Sequence, residues 1–323
     1  LNKKLQLILI MLICTVFIVA CGSNKDSSGD KSNNSSDQEQ QGTEVETEIE
    51  VEHDLGVTKV PVNPEKVVVF DFGTLDTLDA LGVDIIALPK QNIPSYLAKF
   101  EDETYQNAGT LFEPDFEALS AIDPDLIIIS GRTSEAYDEL ANLAPTIYLG
   151  IDTGDYITSF ESNVMTLAEI FDKEAEAESA VAQIKADVEA LKELAPTDQT
   201  GLVVLTNDGS LSAYGPGSRF GIIHDDFGII PTVEDIEESN HGQNISFEFV
   251  AEMNPDYLFV VDRNAVTGGD YTASATLDNE LINQTNAAQE DQIVDLTPDY
   301  WYLSSGGIES VTQMIAEIRA AVE

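Results

Sequence analysis

Arginine is scarce in this chain, so the positions it occupies are informative. Only four occur among 323 residues: Arg132, Arg219, Arg263 and Arg319. Two of them close a repeated stretch. FEALSAIDPDLIIISGR, residues 116–132, and FEFVAEMNPDYLFVVDR, residues 247–263, carry Phe, Glu, Pro, Asp and Arg at the same offsets. In each copy Pro-Asp opens an apolar run and Arg stands eight residues after the Pro. Arg132 and Arg263 are therefore expected just past the carboxyl ends of equivalent strands, which is where open α/β sheets bind ligands. Arg219 heads the run RFGIIHDDFG, at the start of an expected helix whose first amides add positive potential. An arginine fork grips anionic oxygens bidentately and stays charged at any working pH. With an effective dielectric of about 20, one such contact at about 4 Å is worth roughly 4 kcal/mol before desolvation. Three together would hold a compact trianion. Taken singly, each arginine is equally consistent with a surface salt bridge, because the chain holds 59 Asp and Glu.

The repeat also sets Glu117 and Glu248 at matching places on two expected helices. Composition alone reads them as solvated positions. Their symmetry adds a second reading, in which two equivalent acids dock onto two equivalent basic pockets of a dimeric partner. The formal net charge of −44 excludes binding through phosphate neutralisation, so nucleic acid is not an expected partner. Enzyme chemistry finds little to work with. There is no G-x-S-x-G or P-loop pattern, and His53, His224 and His241 are too few and scattered for a zinc site.

The elements that must position these side chains follow from periodicity. KVVVFDF (66–72), DIIAL (84–88), DLIIIS (125–130) and TIYLG (146–150) have strand length and alternate with helical spacing in TLDTLDALG, PDFEALSAI and SEAYDELANLA. The second half repeats the scheme. GLVVLTN (201–207), DYLFVVD and QIVDL read as strands, and SRFGIIHDDFG, SFEFVAEM and LDNELINQTNA as helices. GGIESVTQMIAEIRAAV closes the chain as an amphipathic helix. This rhythm implies an α/β fold of two Rossmann-like lobes with mostly parallel sheets and a ligand cleft between them. Between the halves, residues 157–194 run without Pro or Gly and are rich in Ala, Glu, Lys and Leu toward the end. A helix of about 22 residues there, about 33 Å long, is expected as a rigid strut joining the lobes. The expected boundaries are 53–155 for the first lobe, 156–196 for the helical segment and 197–323 for the second lobe.

The first twenty residues read as a targeting segment. Lys3 and Lys4 precede the apolar run LILIMLICTVFIVA, too short for a comfortable span. The run ends at Cys21, and IVAC resembles a bacterial lipobox whose cysteine is lipidated. Both cysteines, Cys14 and Cys21, lie in this opening, so the mature domain is expected to have no thiol besides the lipidated one. Residues 21–52 are mostly polar and are expected to form a disordered tether.

A lipobox cysteine, a polar tether, two E-x6-PD lobes and a connecting helix together resemble the class III (helical-backbone) substrate-binding lipoproteins of ABC importers. More narrowly, PDLIIISGR, SRFGIIHDDFG, HGQNISFEFV, NPDYLFVVDR and WYLSSGGIESVTQMI resemble the binding proteins for ferric catecholate, petrobactin-type siderophores. The resemblance implies a lipid-anchored protein on the extracytoplasmic face of the cell membrane that hands its ligand to a permease dimer and its ATPase. It implies no intrinsic cofactor, with Fe(III) bound only as the siderophore complex. Arg132, Arg219 and Arg263 would face catecholate oxygens. His241 and Tyr302 would line the iron side and coordinate Fe(III) directly when a siderophore leaves positions open. Trp301 would stack on a catechol ring or an arginine, or else pack in the core. Glu117 and Glu248 would meet arginines of the permease. The alternatives are a haem- or cobalamin-binding protein of the same fold, and, in other classes, a receptor that signals without transport or an enzyme.

Overall fold

The computed structural model describes residues 47–323; the leader, Cys14 and Cys21 lie outside the described residues. The first lobe begins earlier than its sequence suggested. β1 (Glu48–His53) and β2 (Gly56–Pro61) pair as an antiparallel hairpin, so the segment taken as tether to residue 52 is structured from Glu48. Its signal is alternation: in EIEVEH the acids face outward while Val51 buries beside Val60 on the lobe's core. Acidic composition hid a period-two strand.

The lobe's sheet is built from β3 (Val67–Val69), β4 (Ala87–Leu88), β5 (Gln106–Asn107), β6 (Leu126–Ile129) and β7 (Thr146–Tyr148), all parallel in the order β5-β4-β3-β6-β7. The helices α1 (Phe72–Ala80), α2 (Phe116–Ile122) and α3 (Tyr137–Ala141) connect these strands. Both faces of the sheet are covered. Val67, Val69, Leu126 and Ile128 enter one hydrophobic cluster, and Val68, Ile127 and Ile129 the opposite one. Strands buried on both faces read as continuous apolar runs, as VVV and LIII do.

The helical segment divides into α4 (Tyr156–Phe171) and α5 (Glu174–Leu194) at Asp172, which adopts the left-handed conformation with φ 59° and ψ 47°. Aspartate tolerates that region better than most residues, so the helix breaks without Pro or Gly. The long helix α5 has 21 residues, close to expectation, but it buries Ala177, Val181, Ile184, Val188 and Leu191 into the second lobe's core alone. The helix that joins the lobes is α4. Phe160 and Val164 enter the second lobe's core, while Ile170 and Phe171 enter the first lobe's.

The second lobe holds β8 (Thr200–Asn207), β9 (Ser210–Tyr214), α6 (Ile222–Asp225), β10 (Ile230–Pro231), β11 (Gln243–Ile245), α7 (Phe247–Met253), β12 (Tyr257–Asp262), α8 (Asn264–Thr267), α9 (Ala273–Leu277), α10 (Asn286–Gln289), β13 (Ile293–Leu296) and α11 (Ile308–Val322). Its sheet runs β11-β9-β8-β12-β13, with β10 also on β8. β8, β12 and β13 are parallel, and β9 is antiparallel to β8. Two expected helices are shorter than their patterns. SRFGIIHDDFG forms only the single turn α6. LDNELINQTNA is interrupted where the Asn279 carboxamide accepts from the amides of Leu281 and Ile282, each at 3.1 Å, local bonds that compete with the helix.

The duplicated stretch folds as one unit used twice. α2 and α7 each span seven residues and end on a left-handed residue, Asp123 or Asn254, before Pro. The aspartate after that Pro clamps the neighbouring strand: Asp125 accepts from Lys66 N at 2.8 Å, and Asp256 from Thr200 N at 2.8 Å. Pro-Asp therefore registers the strand bearing the arginine against the strand that opens its lobe.

A buried carboxylate ties the lobes together. Asp76 of α1 accepts from the amides of Glu309 at 2.8 Å and Ser310 at 2.7 Å, at the N-terminus of α11, and from the Tyr96 hydroxyl at 2.9 Å. Gly307 is needed beside it, because a Cβ there would lie 2.3 Å from the carboxylate. Burial pushes the Asp76 carboxyl up to about 6, against the opposing pull of the two amides. The folded state thus holds this proton more tightly than the unfolded chain. Its contribution is fully present below the unfolded value near 4 and is lost as pH rises through 6, on the order of 3 kcal/mol in all. Asp76→Asn removes the titration. The stability difference between wild type and this variant, from denaturant unfolding, is expected to shift in the wild type's favour as pH falls from 7 to 4.5. Parallel profiles would overturn this account of Asp76.

Candidate functional site

Arg132 lies in a short turn, Gly131–Ala136, directly after β6; Arg263 caps α8 directly after β12; Arg219 precedes α6. All three converge on one residue from the far end of the chain. Tyr302 sits in a π-helical turn, Asp299–Ser304, an uncommon geometry that recurs at functional sites. Its ring centroid lies 4.4 Å from the Arg219 guanidinium carbon and 5.8 Å from those of Arg132 and Arg263. The Arg132 nitrogens donate to the Tyr302 carbonyl at 2.6 Å and the Leu303 carbonyl at 3.2 Å. Arg219 donates to the same Tyr302 carbonyl. Arg263 donates through Nε to the Tyr302 hydroxyl and through a terminal nitrogen to Asn207 Oδ1, both at 2.9 Å.

The turn that carries Tyr302 is rooted on both sides. Trp301 belongs to the second lobe's core and Leu303 to the first lobe's, with Tyr302 packing against each. Ser95 of the first lobe holds the start of the turn, donating to Asp299 from its amide at 2.9 Å and from its hydroxyl at 3.0 Å.

Every acceptor of the three arginines is neutral. Among the described residues the ion pairs involve Lys59, Lys66, Lys99, Lys185 and Arg319, and none involves Arg132, Arg219 or Arg263. In a chain with 59 acids, the cluster thus makes no salt bridge among the described residues. Its electrostatic cost registers at Arg219, whose guanidinium is brought down to about 10 by burial and then by repulsion from Arg132. It stays protonated at neutral pH, and an approaching anion relieves the strain.

The cluster borders a cavity of about 600 Å³ walled by both lobes, within the range of small-molecule sites. Arg132, Arg219, His241 and Tyr302 line it; Arg263 reaches the group through the Tyr302 hydroxyl and is not part of the wall. His241 is exposed, and the glycine after it is sterically required: Gly242 has φ 70° and a Cβ there would lie 2.7 Å from the Tyr214 ring. The HGQ motif thus folds its loop against β9 and leaves the imidazole at the cavity. Among the described residues no set of three or more His, Cys, Asp and Glu could hold a metal ion. The other histidines do structural work. The His224 ring bonds the Ile229 carbonyl at 2.9 Å, and the His53 ring bonds Thr58 Oγ1 at 3.0 Å.

Trp301 is a correction. It is 0 % exposed, donates from Nε1 to Glu317 at 2.8 Å and packs edge-on to Phe220; it does not line the cavity. Successive side chains in a π-turn point in different directions, so neighbours in WYL meet different surroundings. Several wall residues escaped the sequence reading. Tyr148 and Tyr156 line the cavity, the latter with its hydroxyl 3.3 Å from Ser305 and pushed up to about 12 by burial. Phe112 also lines it, from a loop between β5 and α2. Position after a strand could have pointed to Tyr148, since it ends β7 beside β6. Phe112 carries no sequence signal. Glu117 and Glu248 are exposed in the first turns of α2 and α7.

With two α/β lobes, a joining helix and a polar cavity walled by both lobes, the molecule has the build of an extracytoplasmic solute-binding protein. Residues 67–300 match the family model described as periplasmic binding protein, and the chain belongs to that family. It is 45 % identical over 327 residues to the petrobactin-binding protein YclQ of Bacillus subtilis, covering 99 % of each chain. It is 35 % identical to the ferric-anguibactin-binding protein FatB of Vibrio anguillarum, over 85 % of this chain and 87 % of the relative. The crystal structure of YclQ matches with a TM-score of 0.83 at 47 % identity, over 85 % of this chain and 99 % of that one. The catecholate-siderophore-binding protein VctP of Vibrio cholerae matches with a TM-score of 0.81 at 36 % identity, over 84 % and 99 %.

The buried indole is expected to matter for stability and not for ligand capture. Trp301→Phe strands the bond to Glu317 and should lower unfolding free energy by about 1–3 kcal/mol. Ligand affinity, measured by equilibrium dialysis, should stay within about twofold.

Proposed function

We propose that this protein captures a ferric siderophore of the catecholate, petrobactin-like type between its lobes and delivers it, chemically unchanged, to an ABC permease. The observation that carries this reading is the cluster of three arginines left without a carboxylate. A polyanionic chelate supplies the missing negative charge, and its iron-bound oxygens are natural acceptors for guanidinium forks. The names of the relatives, for petrobactin and for ferric anguibactin, favour the same ligand class.

In this reading Arg132 and Arg219 meet the chelate directly, and Arg263 holds the Tyr302 hydroxyl in place. His241 and Tyr302 border the iron and serve as direct ligands only when the siderophore leaves coordination positions free. Glu117 and Glu248 dock onto basic pockets of the permease dimer, one per lobe. A lipid on Cys21 anchors the chain at the membrane's outer face, with the tether ending before Glu48.

Titrating the purified domain with a ferric catecholate is expected to quench its fluorescence with submicromolar affinity. Changing Arg132, Arg219 and Arg263 together to Ala should weaken binding by at least about a hundredfold, as the loss of several charge-assisted contacts requires. Retained affinity in the triple variant would sink the proposal. Uptake into vesicles bearing the partner transporter tests the docking acids separately. Glu117→Ala with Glu248→Ala should depress transport severalfold while leaving siderophore affinity unchanged.

A further inference from the structure

Among the described residues, the most exposed large apolar side chain is Phe112, at 68 %. It is also a wall residue of the cavity. We propose that Phe112 is a specificity-determining residue: an aromatic platform on a braced loop that selects chelates whose oxygens are carried on a flat ring. This rests on the reading that the cavity takes a ferric chelate of the catecholate type, and adds the residue that recognises its ring.

The backbone that carries the phenyl group is braced on several sides. The loop is cinched at its base by a bridge between Gly109 and Pro114. Gly109 has φ 111°, and a Cβ there would lie 2.5 Å from the Glu113 carbonyl oxygen. Within the loop, Thr110 N donates to the Glu113 carbonyl at 3.0 Å, and Thr110 Oγ1 accepts from the amides of Phe112 at 3.2 Å and Glu113 at 2.9 Å. The preceding residue, Leu111, turns inward into the first lobe's core. Its carbonyl accepts from the buried Thr133 hydroxyl at 2.7 Å.

Thr133 directly follows Arg132, so one hydrogen bond fixes the phenyl-bearing loop to the arginine-bearing turn. Charge recognition and ring recognition are therefore held in a constant spatial relation on the first lobe. A chelate built on a flat ring presents two different surfaces, an oxygen edge that suits guanidinium donors and apolar faces that need cover. The wall around Phe112 offers both. An aliphatic carboxylate chelate would use the arginines and leave the phenyl ring in water.

The test uses the processed domain and the ferric tris-catechol complex, with affinities from fluorescence titration of wild type, Phe112→Ala, Phe112→Leu and Phe112→Trp. The side chain is at the surface, so all four are expected to fold alike. Ala and Leu should each weaken binding about five- to tenfold, the scale of one aromatic pair, and Trp should stay within about threefold of wild type. Unchanged affinity in Ala overturns the inference, as does full rescue by Leu, which would mean that any apolar cover suffices. If wild type itself does not bind the complex, the ferric-chelate reading falls and this inference with it.

Discussion

The molecule depends on a refusal of neutralisation. In a protein with 59 acidic residues, three guanidinium groups make no ion pair among the described residues and bond only to carbonyls, a carboxamide, a phenol and an aromatic face. Dipoles and a ring hold arginines in place without cancelling their charge. The cavity wall does carry two acids, Asp71 and Glu135, but neither pairs with an arginine among the described residues. The depressed proton affinity of Arg219 reflects burial first and the neighbouring charge of Arg132 second.

Keeping those groups together requires both lobes to meet at a fixed place. The π-turn does this by alternating its anchors, Trp301 in one core and Leu303 in the other, with Tyr302 between. Asp76 at the head of α11 and Ser95 on Asp299 add polar ties across the same junction. α4 contributes the apolar part of the connection through side chains in both cores. The site is thus assembled from residues more than 160 positions apart in sequence, as in the bond from Arg132 to the Tyr302 carbonyl.

Much of this was legible in the chain itself. The two sheets, the twin E-x6-PD units and the placement of Arg132 and Arg263 after strands β6 and β12 follow from periodicity and the repeat. What could not be read is where tertiary contacts override pattern. β1 was masked by its acids, because hydropathy averages hide an alternation that buries Val51 alone. The break at Asp172 rests on one residue's tolerance of the left-handed region, which composition does not display. Trp301 and Tyr302 are adjacent and both aromatic, and only the geometry of the turn assigns one to the core and the other to the cleft. The convergence of three arginines on a single ring was beyond sequence reasoning, since Tyr302 comes from neither repeat.

The alternating anchors of the π-turn have a mechanical corollary. Two side chains seated in different bodies and separated by one residue make that middle residue a lever. The peptide unit that follows Tyr302 carries the carbonyl that holds both Arg132 and Arg219, and its orientation is set by one seat in each lobe. The placement of the positive groups is thereby tied to how the two lobes are seated against each other.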